Sequence, residues 1–299
     1  GLATHLEALG QDIDHSLWSA RLLVTDPGAA MIRRAHADYF RAGAEVAITA
    51  SYQAHLDGFK ELGLQPEDHA RAVRRSVELA KEAAKEALPE GGGIVAGSVG
   101  SFGASLHNGA EYTGDFPGMD EAKLVAWHRP RVLALIDAGC DVLACETIPC
   151  LLEARALVTL LEEVRFPAWV TFSCRSPDQV CSGEPFVECV RAVAACAHVL
   201  GAGVNCTHPG HVGDLVALCR KCLPDDKHVV VYPNSGVDGR GQCAPTHGVA
   251  GFCWQEWCGQ AHVWKEGTAT ADERFVELAR SWVDRGADCV GGCCRTSPE

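Results

Sequence analysis

No apolar run in this chain approaches the roughly 18 residues needed to cross a bilayer, and no secretory or transit segment is visible. A soluble protein with no membrane partner is therefore expected. Positive charge is also scarce: 26 Lys and Arg stand against 39 Asp and Glu. The basic residues are spread over helical stretches such as Arg71, Arg74 and Arg75 rather than gathered in a stripe. Nucleic acid is not an expected partner, because nothing here neutralises a row of phosphates. Cysteine is missing before Cys140, and all 16 cysteines follow from there, many inside apolar segments where a free thiol packs as a small hydrophobe. That is not the pattern of a small secreted disulfide scaffold, so a reducing, cytoplasmic setting is the expectation.

What the chain does have is ordinary globular material, 47% hydrophobic and 22% charged in 299 residues. The length is near the roughly 250 residues of a single (β/α)8 barrel, and one domain over 1–299 is expected. Seven short β-rich apolar runs alternate with longer helical patterns, at 45–51, 94–99, 141–145, 168–174, 202–206, 228–233 and 288–290. Most are continuously apolar rather than alternating, as parallel strands covered on both faces are, and the segments between them are long enough for crossover helices. Before the first strand, Asp26 can cap a helix, Pro27 suits its first turn and Gly43 can end it. A second helix is expected from Pro66 toward Leu88. Similar junctions recur at 41–46, 137–142 and 284–289, each with a glycine where a helix should stop before a strand. Periodicity alone leaves two architectures open, a doubly wound sheet or a barrel short of one strand.

The chemistry concentrates near the end. Cys293 and Cys294 are adjacent behind Gly291 and Gly292, and Cys206 closes an apolar run earlier in the chain. Successive residues of a regular strand point to opposite faces, so two neighbouring thiols reach one ion only on irregular backbone, which the glycine pair can supply. Three soft thiolates with a fourth position free describe a catalytic zinc site. Adjacent cysteines also form vicinal disulfides or simply pack, and His208 and His211, just past Cys206, could replace a thiolate. Cys219 and Cys222 form a C-x-x-C pattern but fall on a helix with no second pair, where packing on one face is the simpler reading. Cys253 and Cys258, with Trp254 and Trp257, suggest no role.

Gly-Gly-Cys-Cys-Arg (291–295), Gly-Val-Asn-Cys (203–206) and Ala-Cys-Glu-Thr-Ile-Pro (144–149) together resemble the homocysteine S-methyltransferase family, over nearly the whole chain. Further runs at 14–20, 47–54, 128–132 and 231–236 resemble the branch using S-methylmethionine or S-adenosylmethionine more than the betaine branch. The resemblance implies a (β/α)8 barrel with Cys206, Cys293 and Cys294 holding zinc at the C-terminal face. It further implies a first strand before Gly1 and a closing helix after Glu299, so the chain reads as a shortened version of the barrel. Glu146 would hold the homocysteine amino group, and the backbone at Gly1 and Leu2 its carboxylate. Asn205 would orient the site beside the ligand cysteine. Asn234, with Ser235 and Gly236, would meet the donor, and Trp18, Tyr52 or Tyr232 could offer a cationic donor an aromatic face. Rival readings are a selenocysteine acceptor, a betaine donor, or a non-catalytic zinc-binding or thiol-sensing barrel. A corrinoid donor is disfavoured, because no separate cobalamin module is visible.

Overall fold

The structure is a computed structural model that describes residues 1–234 and 271–298. Helix α1 (Leu2–Ala8) leads through a 3-10 segment (Trp18–Val24) to α2 (Asp26–Arg41) and strand β1 (Val46–Ile48). Then follow α3 (Leu56–Glu61), α4 (Pro66–Ala87), β2 (Ile94–Gly100), α5 (Glu121–Asp137) and β3 (Val142–Ile148). The second half continues α6 (Leu151–Val164), β4 (Ala168–Phe172), α7 (Phe186–Ala194), β5 (Val199–Asn205), α8 (Pro209–Cys222) and β6 (His228–Tyr232). It closes with α9 (Ala271–Asp284) and β7 (Cys289–Val290). Each of the seven expected strands is present. The punctuating glycines also behave as read: Gly43, Gly139 and Gly286 take φ of +98, +78 and +105, the left-handed conformation that ends a helix without penalty only in glycine.

One local reading needs correcting. The cap of α2 is Thr25, not Asp26; the Thr25 hydroxyl accepts from the Gly28 N–H at 3.2 Å, while Asp26 lies in the first turn. Both residues are good caps. Thr25 has the extended backbone a cap needs, and Pro27 then falls at the second helical position.

The strands pair in sequence order, β1 to β7, each parallel to the next. The sheet curls: inward side chains of β1 (Val46, Ile48) and of β7 (Cys289) pack on one apolar cluster built around Ala96, Ala144, Trp169, Val230 and Tyr232. The opposite faces of the strands pack against the helices in the main core. The fold is therefore the barrel type, with helices outside and a lined interior, rather than a flat doubly wound sheet. On β5 glycine lets the neighbouring strand approach closely: a Cβ on Gly203 would stand 1.9 Å from the backbone oxygen of Val230 on β6. Among the described residues, no helix is long and apolar enough to cross a membrane.

β3 carries the feature that matters most for the site. Cys145 pairs with Val170 and Ile148 with Phe172, so Glu146 and Thr147 together oppose Thr171 alone. This bulge explains why Cys145 and Ile148, three apart, both face the helix-side core. It breaks the alternation beside Glu146.

Candidate metal centre and active site

Strand ends at the C-terminal edge bring the three expected thiols together. Cys206 directly follows β5, and Cys293 and Cys294 lie just beyond β7. Their sulfurs all fall within 4.8 Å of one another, the one metal-competent group found among the described residues. Cys206 and Cys293 approach to 2.7 Å across 87 residues of chain and remain free thiols. The donors suit a soft divalent ion: tetrahedral zinc with sulfurs at about 2.3 Å would separate them by about 3.8 Å, inside the 4.8 Å within which all three lie.

The turn that lets neighbouring cysteines converge is not the expected one. Gly291 and Gly292 avoid positive φ; the left-handed residues are Cys206 (φ 46) and Arg295 (φ 63). Gly292 contributes space instead, since a Cβ there would meet Thr296 Oγ1 at 2.4 Å. The Thr296 hydroxyl donates to Cys293 O at 2.7 Å, folding the segment back on itself. The Cys293 N–H donates to Pro233 O at 2.7 Å and the Cys294 N–H to Asn234 Oδ1 at 3.0 Å, which fastens the loop to the end of β6.

Hydrogen bonds among the three thiols divide their acidities. Cys206 and Cys293 are pushed up, Cys206 first by its bonds to the other two and then by burial. Cys294 is held well below the ordinary thiol range, because the bonds from Cys206 and then Cys293 favour its thiolate.

Glu146 faces this group from β3 and is 6% exposed. Burial raises its carboxyl from 4.5 to about 7, opposed by hydrogen bonds from Ser98 and Tyr232 and reinforced by the charge of Cys294. The Ser98 hydroxyl donates to Glu146 Oε1. Asn205, read from sequence as orienting the site, works through Thr147. Its Oδ1 accepts from the Thr147 N–H and its Nδ2 donates to Thr147 Oγ1, both at 2.7 Å. Thr147 has φ 60, so Asn205 holds a strained residue of the bulge next to Glu146.

Gly1 lies against the thiol loop, where a Cβ would be 2.4 Å from Cys293 O, and its nitrogen bonds Thr296 Oγ1 at 2.5 Å. Leu2 begins α1 beside it. Asn234 is buried, its Oδ1 engaged by Cys294; Ser235, Gly236, Cys253, Trp254, Trp257 and Cys258 lie outside the described residues. Trp18 meets Tyr52 edge-on at 6.0 Å. Tyr52 is near enough to Glu111, Cys206 and Glu146 for their charges to raise its phenol further, after burial. The Tyr232 hydroxyl sits 2.8 Å from Thr171 Oγ1 and accepts from Trp169 Nε1 at 3.1 Å. His208 is drawn off to structure: its Nδ1 accepts from the Gly210 N–H at 3.0 Å and caps α8. Cys219 is buried on α8, with Cys222 half-buried three residues on.

Sequence reasoning did not single out three contributors. Ser98 lies on β2 opposite Ala144, and Glu111 sits in the 3-10 turn Ala110–Tyr112 after β2. Arg131, part of a run noted only for its resemblance, is 2% exposed on α5 and donates to Tyr52 O at 2.7 Å and Gly100 O at 2.5 Å. The signal available for Glu111 was its place after a barrel strand; for Arg131 there was none.

A curled parallel sheet bearing three thiols and a buried carboxylate at its C-terminal edge defines a barrel enzyme with a metal-competent centre. Residues 1–299 match the family model described as homocysteine S-methyltransferase. The chain is 39% identical over 308 residues to homocysteine S-methyltransferase YbgG of Bacillus subtilis, covering 100% of this chain and 89% of that protein. It is 36% identical over 319 residues to a selenocysteine methyltransferase of Astragalus bisulcatus, covering 100% of this chain and 88% of that one. The metallated crystal structure of homocysteine methyltransferase MmuM from Escherichia coli superposes with a TM-score of 0.82 at 36% identity, covering 100% and 91% of the two chains. The chain belongs to the homocysteine S-methyltransferase family and is a methyltransferase.

Proposed function

We propose that the chain is a zinc-dependent, cytoplasmic enzyme that moves a methyl group from a sulfonium donor, S-methylmethionine or S-adenosylmethionine, to homocysteine, forming methionine. The observation that carries the reading is the convergence of Cys206, Cys293 and Cys294 opposite Glu146. Free thiols at pH 7 are only about 3% thiolate; zinc held by the three cysteines would supply the Lewis acidity that keeps the homocysteine sulfur ionised.

In the transfer, the homocysteine thiol releases its proton to solvent and its sulfur lone pair forms the new S–CH3 bond. The old bond breaks with its electron pair returning to the donor sulfur, which leaves as a neutral thioether. No general acid is required, so this chain's residues bind, align and exclude water. Ionised Glu146 receives the homocysteine ammonium as a charge-assisted hydrogen bond. The backbone at Gly1 and Leu2 receives its carboxylate, a reading supported by the closeness of Gly1 to Cys293. Asn205 fixes the bulge that aims Glu146, Asn234 lies on the donor side, and Trp18 and Tyr52 offer the cationic donor aromatic faces.

The test is zinc-edge X-ray absorption on reduced protein before and after homocysteine, together with a methyl-transfer assay. A shell of three sulfurs rising to four, with methionine formed from a sulfonium donor, is expected. A four-ligand shell indifferent to homocysteine and no transfer would return the chain to a structural or sensing role. Competition between homocysteine and selenocysteine, and between sulfonium donors and betaine, decides the remaining rivals.

A further inference from the structure

Two carboxyl groups, not one, lie within electrostatic reach of the same sulfur. Glu146 lies on the inner face of β3 and Glu111 in the turn after β2; burial first raises each carboxyl, opposed at Glu146 by bonds from Ser98 and Tyr232 and at Glu111 by its own backbone N–H, and the charge of Cys294 raises each further. The turn bearing Glu111 is held in place: the Ser173 hydroxyl donates to Glu111 O at 2.8 Å, and close packing at Gly103 leaves no room for a Cβ, which would stand 2.4 Å from the Glu111 nitrogen. The two carboxyls differ in one respect. The Glu146 carboxyl is met by the Ser98 and Tyr232 hydroxyls, whereas the Glu111 carboxyl is met by its own backbone N–H and its Oε2 is shut off from solvent with no hydrogen-bond partner among the described residues. A buried carboxylate oxygen left so is costly unless a ligand supplies a donor.

The reaction proposed above brings two amino acids to the site and therefore two ammonium groups. One carboxylate is assigned to homocysteine. The second needs an N–H, which a sulfonium centre cannot give because it carries only carbon. We infer that Glu111 Oε2 accepts a hydrogen bond from the α-ammonium of the methyl donor and so selects amino-acid sulfonium donors over cationic donors that lack an N–H. Glu111 is thereby a specificity residue of the donor half. This inference rests on the sulfonium-donor reading.

The experiment is titration calorimetry on the zinc-loaded protein with S-methylmethionine and with dimethylsulfoniopropionate, which keeps the sulfonium and carboxylate but has no amine. Glu111→Gln is expected to weaken S-methylmethionine by about tenfold or more, the scale of a lost hydrogen bond between charged groups, and to leave dimethylsulfoniopropionate within about twofold. Glu111→Asp should recover part of the loss, and the KM for homocysteine should stay within about twofold in both variants, with thermal midpoints recorded to show that they fold. Equal weakening of both ligands, an unchanged S-methylmethionine affinity, or a matching rise in homocysteine KM would overturn the inference. Wild-type protein that binds S-methylmethionine with the expected contrast but transfers no methyl would overturn the proposed function while leaving Glu111 in place. Wild-type protein that does not bind S-methylmethionine would overturn the Glu111 inference, and transfer from S-adenosylmethionine would then show the wider reading to survive.

Discussion

The Asn205 amide is closed on Thr147 at both ends, with Oδ1 on its N–H and Nδ2 on its hydroxyl, each at 2.7 Å across 58 residues. Asn205→Ala strands both Thr147 groups in the interior and frees a backbone held at φ 60. The expected cost is about 2–4 kcal/mol in urea unfolding, with the homocysteine KM rising severalfold as Glu146 loses its aim. An unchanged KM in folded protein would confine the clamp to stability.

Glu146 makes homocysteine-site affinity depend on pH. With its carboxyl at about 7, the free site is half protonated near neutrality, and only the ionised form attracts an ammonium. Binding of methionine, which has no thiol to titrate, should tighten as pH rises from about 6 to about 8 and become weaker and flat in Glu146→Gln. The stability linkage has the opposite sign: the folded state holds more protons than the unfolded one between 4.5 and about 7, so this group makes the fold less stable as pH rises through that window. A methionine affinity that falls with pH would sink the assignment.

Metal content separates the thiols by role. Cys206→Ser, Cys293→Ser and Cys294→Ser should each abolish stoichiometric zinc and methyl transfer. Cys219→Ser and Cys222→Ser should keep zinc at one per chain, whatever buried Cys219 loses in stability. Zinc retained in Cys206→Ser would refute a three-thiolate centre.

Arg131 tests a different support. It is a buried cation bonded to Tyr52 O and Gly100 O, with its guanidinium 4.9 Å from the Trp127 ring centroid. Beside it His128 Nε2 meets Glu153 Oε1 at 2.9 Å, and Glu153 accepts from the Phe102 N–H at 2.5 Å. Arg131→Met leaves the two carbonyls bare, and a loss of about 2–4 kcal/mol in chemical denaturation is expected. Arg131→Lys reaches one carbonyl at a time and should fall between. A neutral Arg131→Met would show those loops to be held otherwise.

The sequence displayed the scaffold well because parallel strands covered on both faces must be apolar throughout, and helix ends before them need residues that tolerate positive φ, as Gly43, Gly139 and Gly286 do. The three thiols were visible because few residue types hold a soft metal. The rest depends on partners far along the chain. Nothing near Thr147 announces a bulge secured by Asn205, and nothing near Arg131 announces its bonds to Tyr52 and Gly100. The exchange of Asp26 for Thr25 as cap is a shorter-range failure: two adjacent residues were equally suited, and backbone conformation chose between them.

The grip of Arg131 on Tyr52 O and Gly100 O also bears on the entropy of binding. It fastens the chain after β1 to the end of β2, and Glu153 extends the hold to Phe102. The stretch carrying Tyr52 and the stretch leading to Glu111 then act as one rigid jaw anchored from behind the sheet. Substrates that meet it find half of the site already ordered, so less of their binding free energy is consumed in fixing protein loops and more remains to align the two sulfurs.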